Sequence, residues 1–272
     1  GGALYIADTT SSITIERSTF QANVAEGFGG GIYVDQVDLE SSLSVDSSTF
    51  SADSTGEFGA ALAIGTVIGE VTIVNSTLDE QGSEDFAMAA DLVAGELNVT
   101  YSTVTGGIYI KTNEGTAEVA STIVTQAGGV TILVDVDNPV GVLYSILSSS
   151  LTDSMADLGG NQFATVPELG PLQDNGGPTF TRMPLAGSPA IVRGLLGGTP
   201  PTFDQRYTGF PRVVGGRVDV GAVETASDLG SSRALAATGQ TLNIWIPIIG
   251  GVLLLGGAAA IVINVLRRRR QP

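Results

Sequence analysis

The feature that most constrains this chain is a repeat. A short run of alternating apolar residues, closed by Ser-Thr and one more apolar residue, returns along the first 150 residues. It reads SITIERSTF at Ser12–Phe20, LSVDSSTF at Leu43–Phe50, VTIVNSTL at Val71–Leu78, LNVTYSTV at Leu97–Val104 and AEVASTIV at Ala117–Val124. A degraded copy, VGVLYSIL, spans Val140–Leu147. Measured from Ser18, Ser48, Ser76, Ser102, Ser121 and Ser145, the spacings are 30, 28, 26, 19 and 24 residues. Between the copies lies a second strand signal, small residues turning into an apolar alternation: GGALYI from Gly1, GGGIYV from Gly29, GAALAI from Gly59, MAADLV from Met88, GGIYI from Gly106 and GGVTILV from Gly128.

Two or three short strands per roughly 25 residues, with variable loops, is what one coil of a parallel β-solenoid needs. Alternation sets Ile13 and Ile15 on one face with Thr14 opposite, and Val71 and Ile73 on one face with Thr72 opposite. Stacking then places like over like, about 4.8 Å apart, so six coils make a rod about 30 Å long. An antiparallel β-sandwich also has short strands at regular intervals. It does not predict the same Ser-Thr-apolar step in register coil after coil, and the solenoid is the preferred fold. Gly1 already lies inside a repeat element, so the rod is expected to extend N-terminally.

Composition narrows the chemistry. The 272 residues include no cysteine and no histidine, which excludes disulfides, His or Cys metal sites, Ser-His catalysis and a Cys nucleophile. The formal charge is −16, and before residue 150 only Arg17 and Lys111 are basic. Such a surface repels nucleic acid and anionic lipid and suits solubility outside the cell. Apart from the C-terminal stretch described below, no convincing amphipathic helix is present.

Two resemblances follow from the residues. Phe20-Gln21-Ala22-Asn23 followed by Gly29-Gly30-Gly31-Ile32-Tyr33 resembles the FxxN and GGAI repeats of polymorphic outer-membrane-protein-like β-helices, which implies a right-handed parallel β-helix. The second coil carries Asp53 where the first has Asn23, and later coils lose the pattern. Beyond residue 150 prolines appear and the repeat ends. There Asp174-Asn175-Gly176-Gly177 with Thr179, Leu185 with Ser188-Pro189-Ala190, Asp204-Gln205-Arg206, Pro211-Arg212, and Asp219, Gly221, Ala222 and Glu224 resemble the C-terminal part of choice-of-anchor Q surface proteins, with Val192 where that family usually has aspartate. In that family a β-helix end precedes varied anchoring signals. This region reads as a loop-rich cap over the last coil, held by ion pairs among Asp204, Arg206, Arg212, Asp219 and Glu224.

The last forty residues carry the anchoring expectation. From Leu242 to Leu266 no side chain is charged, and as a helix this stretch would reach about 37 Å, enough to cross a bilayer. Trp245 suits the outer interface, and Arg267, Arg268, Arg269 and Arg270 form a stop-transfer end that the positive-inside rule places in the cytoplasm. A buried core helix of that length would show a polar face, which this one lacks. Just ahead stands Leu235-Ala236-Ala237-Thr238-Gly239. Pentapeptide, apolar span and basic tail together resemble the cell-wall sorting signal of Gram-positive surface proteins, with Ala236 in place of the commoner proline, as in high-GC variants. The resemblance implies that a sortase cuts after Thr238 and joins its carboxyl to peptidoglycan, with Gly239 as the leaving amine. An exported chain that begins at Gly1 without a signal peptide is also expected to have lost an N-terminal part.

The organisation expected is therefore all-β coils over 1–150, a cap over 151–226, a tether with the sorting motif over 227–241, one transmembrane α-helix over 242–266, and a basic cytoplasmic tail over 267–272. β-Helices include lyases and glycoside hydrolases, so carboxylates are candidates for catalytic or calcium-binding groups. Asp135 and Asp137 share a strand face, and Asp79, Glu80, Glu84 and Asp85 form an acidic loop; both sets read as solvated surface. Tyr33, Tyr101, Tyr109 and Tyr144 offer sugar-stacking surfaces but read first as strand packing. Asn75-Ser76-Thr77 and Asn98-Val99-Thr100 match the N-glycosylation pattern without meaning in a bacterial wall protein. No catalytic residue or cofactor is assigned, with calcium left open. The expected partners are sortase, peptidoglycan and, before processing, the membrane, with glycans or neighbouring cell surfaces as targets and no nucleic acid. The function expected is a structural or adhesive role at the cell surface; the alternative is a wall-anchored polysaccharide lyase or glycoside hydrolase.

Overall fold

The computed structural model describes residues 1–80, 86–127, 129, 131–136, 138–197 and 199–225. The sorting pentapeptide Leu235–Gly239, the run Leu242–Leu266 and the arginines Arg267–Arg270 lie outside the described residues, as do Glu84, Asp85 and Asp137. Among the described residues there is no α-helix, and the chain winds as a parallel β-solenoid of three sheets. The first sheet stacks Leu4–Thr9, Ile32–Val37, Leu62–Val67, Met88–Leu92, Ile108–Thr112 and Ile132–Val136. The second stacks Ile13–Glu16, Ser42–Asp46, Glu70–Val74, Glu96–Thr100, Thr116–Ala120, Val140–Leu143 and Met155–Asp157. The third consists of short strands, Thr19–Gln21, Thr49–Ser51, Thr77–Asp79, Thr103–Thr105, Ile123–Thr125 and Ile146–Leu147.

Register is what turns the sequence alternation into a core. Ile15, Val45, Ile73, Val99, Val119 and Val142 stand in one inward column of the second sheet. Phe20, Phe50, Leu78, Val104, Val124 and Leu147 stand in another, on the third. The Phe20 and Phe50 rings stack at 4.8 Å. From the second coil onward these columns are buried, and each buried Leu, Ile or Phe contributes about 1.5–3 kcal/mol.

The Ser-Thr step builds the corner between the second and third sheets. The residue before each step has a positive φ: Arg17, Ser47, Asn75, Tyr101, Ser121 and Tyr144, at 47° to 50°. Left-handed backbone at a non-glycine residue costs about 1–2 kcal/mol, so something must hold it. The hydroxyl that follows does so twice. It donates to the carbonyl two residues back, as Ser48 Oγ to Asp46 O at 2.9 Å and Ser76 Oγ to Val74 O at 2.8 Å. It also accepts the amide of the coil before it: Ser18 N to Ser48 Oγ at 3.1 Å, Ser48 N to Ser76 Oγ at 3.2 Å, and Ser76 N to Ser102 Oγ at 3.2 Å. The ladder continues through Thr122 Oγ1 and Ser145 Oγ and ends on Asn161 Oδ1, which accepts Ser145 N at 2.8 Å. In the fifth coil the ladder residue is thus Thr122. Ser121, the marker chosen from the sequence, is the left-handed residue before it, so the true spacings there are 20 and 23 residues.

The segment after residue 150 extends the last coil only at its start. Met155–Asp157 pairs with Val140–Val142, and Gln162 bridges to Ile146. A short antiparallel hairpin follows, Leu169–Gln173 with Thr181–Pro184. The chain then runs beside the third sheet, back towards the second coil. Thr179 Oγ1 donates to Ser47 O, Thr49 Oγ1 to Phe180 O, Tyr101 Oη to Leu195 O, and the Gly221 amide to Ser121 O. The corner explains the route. Its left-handed residues turn carbonyls outward, and the outer positions of the third sheet are Thr49, Thr77 and Thr103, polar groups that need partners once water is excluded. Gln205, fully buried, fills that need: Nε2 lies 2.8 Å from Thr49 Oγ1 and 3.1 Å from Thr179 Oγ1, and Oε1 accepts Thr77 Oγ1 at 2.6 Å. Further along, Ile123, Ile146, Ala190 and Val220 form a second small core between sheet and flank.

Gln205→Ala leaves three buried hydroxyls without their amide partner. The expected loss is about 3 kcal/mol of unfolding free energy, read as a lower urea midpoint, with protease cleavage appearing first within residues 166–225.

Candidate functional site

The outer face of the first sheet is not covered by the flank, and it carries a groove. One outward column reads Tyr5, Tyr33, Ala63, Ala89, Tyr109 and Leu133 in register. Two alanines therefore interrupt a row of large side chains and leave a floor, with Tyr33 and Tyr109 three strands apart, about 14 Å between backbones. The walls are raised by the turn before each strand. Phe28 and Phe58 each precede a left-handed glycine, Gly29 (φ 66°) and Gly59 (φ 74°). A Cβ at either glycine would meet a carbonyl oxygen at 2.2 Å or 2.5 Å, so glycine is required. Phe28 lies 5.7 Å from the Tyr33 ring, Phe58 stacks on Tyr109 at 5.0 Å, and Phe86 joins Tyr109 at 5.9 Å. Phe28 and Phe58 remain 41% and 40% exposed, so the fold does not bury these aromatics for its own stability. The groove holds about 350 Å³.

One edge of the groove is polar. Asp91 and Lys111 are register partners, and Nζ reaches Oδ2 at 2.8 Å. Asp91 Oδ1 is out of solvent and has no hydrogen-bond partner among the described residues. Nearby, Tyr33 Oη donates to Asp35 Oδ1 at 2.9 Å. Desolvation first, and Asp35 second, push the Tyr33 phenol up to about 12, so it keeps its proton as a donor.

A second group of titratable residues lies at the corner between the third and first sheets. Asn23 donates from its amide (2.7 Å) and its side chain (2.9 Å) to Asp53 Oδ1, and the Asp53 amide in turn donates to the Glu80 carboxyl. Asn23, Asp53 and Glu80 thus form an inner ladder, one residue per coil. Burial raises Asp53, and burial with the charge of Asp53 pushes Glu80 up to about 9. Asp79 next to it is tied down: Arg182 donates Nε to Oδ1 and Nη2 to Oδ2, both at 2.9 Å, and Thr105 donates to Oδ1 at 2.5 Å. Glu80, Arg182 and Glu168 line a hollow of about 440 Å³. Asp79 and Glu80 are accordingly structural and buried, not the solvated loop the sequence suggests. Among the described residues no three ligating side chains converge on a metal position.

The other residues singled out in the sequence separate. Tyr33 and Tyr109 face the groove; Tyr101 is buried under the flank; Tyr144 lies far along the stack, against Gly160. Arg17 pairs with Glu16 and lies over the Tyr207 ring at 4.6 Å. The backbone of Asp135 pairs with that of Lys111. Of the C-terminal charges, Asp204 and Arg206 form an ion pair at 2.6 Å. Arg212, fully buried, instead donates to Asn75 Oδ1 and to the carbonyls of Gly221 and Ala222. Asp219 accepts the amides of Val192 and Thr225, and Glu224 Oε2 accepts the Asp219 amide. These groups hold the flank together. Phe28, Phe58 and Phe86 were not singled out in the sequence, although Phe-Gly recurs at the same offset before the second and third strands of the first sheet. No family model, curated protein or solved structure matches the chain.

The carboxyl ladder makes stability pH-dependent with a defined sign. Folded Glu80 keeps its proton to about 9, whereas unfolded it ionises near 4.5, and Glu224, raised to about 8 by burial, acts in the same sense. The folded state binds more protons through that window, so stability falls as pH rises from about 4.5 to about 9. The thermal midpoint should be lower at pH 8.5 than at pH 5.5, and Glu80→Gln should flatten that slope and raise the midpoint at pH 8.5.

Proposed function

We propose that this chain is an exported, right-handed β-helix protein of the Gram-positive cell surface, joined to peptidoglycan by sortase and serving a structural and adhesive role. One observation carries this reading: Leu235-Ala236-Ala237-Thr238-Gly239, the uncharged run Leu242–Leu266 and Arg267–Arg270 follow one another in the order a sorting signal requires. The run would hold the pentapeptide at the membrane surface as a transmembrane helix, and the arginines would stop its passage. The resemblance of residues 174–224 to choice-of-anchor Q proteins agrees with that placement. The solenoid suits display beyond a wall. Its backbone amides are paired from coil to coil, its surface is strongly acidic, and one long side is sealed by the flank.

Muramidase digestion of cells expressing the protein, followed by mass spectrometry of the released C-terminus, tests the reading. The expected species ends at Thr238 joined to a peptidoglycan peptide, and Thr238→Ala abolishes it. Recovery only in the membrane fraction, ending at Pro272, contradicts sortase attachment.

A further inference from the structure

We infer that the groove on the first sheet is a carbohydrate site that takes a neutral or amino-bearing pyranose unit of a polysaccharide. The inference rests on the adhesive reading for its setting and names the ligand class. Its basis is the groove's division into an apolar trough and a polar edge. The floor is Ala63 and Ala89, between walls of Phe28 with Tyr33 and Phe58 with Tyr109. A pyranose has the matching division: one ring face presents only C–H bonds, and the hydroxyls project from its rim. Laid in the trough against the partly exposed Phe28 and Phe58 rings, the ring would turn its hydroxyls towards Asp91, Lys111 and the Tyr33–Asp35 pair. The Asp91 carboxylate, partly exposed and paired with Lys111 through Oδ2, is an acceptor for such a hydroxyl.

Size and charge narrow the occupant further. About 350 Å³ is at the lower end of ligand pockets and admits a ring-sized group, not a helix or a packed peptide face. Among the described residues two carboxylates, Asp35 and Asp91, stand at the edge with the Lys111 ammonium, on a chain of formal charge −16. Uronates, sulfated sugars and phosphate-bearing lipids are therefore repelled, while neutral sugars are admitted and an amino sugar is attracted.

The test is saturation-transfer NMR on the full chain in lipid nanodiscs with three probes: cellotetraose, a glucosamine tetramer and tetragalacturonate. Ring C–H protons of the first two should saturate, and those of the third should not. Phe28→Ala and Tyr109→Ala, which each remove a wall, should each weaken binding by about tenfold or more. Both should keep the wild-type thermal midpoint within a few degrees. Absence of saturation from both uncharged and amino probes, saturation of tetragalacturonate alone, or unchanged affinity in both variants would overturn the assignment. The readout is confined to the solenoid, so it stands whether or not the chain is cut at Thr238, and failure of sortase processing leaves it intact.

Discussion

Everything in this fold depends on a hydroxyl at a corner. A parallel solenoid has to turn sharply between its faces, and here six non-glycine residues adopt left-handed backbone to do it. The serine or threonine that follows bonds within its own coil and to the coil before it, so one side chain both stabilises the turn and sets the register of the stack. Because the side-chain period of a strand is two, a slip of one residue at this corner would turn Phe50, Leu78 and Val104 outward and expose the core.

The corner also decides which faces remain for function. It leaves carbonyls and threonine hydroxyls pointing out along the third sheet, and the C-terminal flank answers them with Gln205 and Thr179, while the buried Arg212 takes the Asn75 side-chain oxygen. The first sheet has no such demand. Its outer face stays open, and the lines of aromatics and small residues along it create the groove. Sealing one side and leaving another free is a consequence of hydrogen-bond accounting, before any ligand is considered.

Much of this was legible in the sequence, because period-two alternation and a recurring Ser-Thr step carry strand, face and coil together. The inward columns follow directly. The fifth coil misled by one residue, since Ser121 and Thr122 both bear hydroxyls and only the left-handed φ of Ser121 shows which of them turns the chain. The inner ladder was hidden for a similar reason. Asn23 and Asp53 each lie three residues past a core phenylalanine, but Glu80 lies two past Leu78, next to a run of Gly, Ser, Glu and Asp that reads as solvated. The path of the flank was not legible, because its partners are backbone groups exposed by the corner and 130 or so residues away in sequence: Thr179 to Ser47 spans 132. The groove was half visible, in Tyr33 and Tyr109. Its floor is defined by what is small at positions 63 and 89, a signal that appears only once the coils are in register.

The central claim is that the hydroxyl ladder holds the coils in register, and amide hydrogen exchange at residue resolution addresses it most directly. Ser76→Ala removes the acceptor of the Ser48 amide and leaves the neighbouring bond from Thr49 N to Ser18 O in place. The Ser48 amide should then exchange about tenfold faster or more than in the unsubstituted chain, with the Thr49 amide unchanged. Equal protection of the Ser48 amide in the two proteins would contradict the account, because the corner would then be held by packing alone.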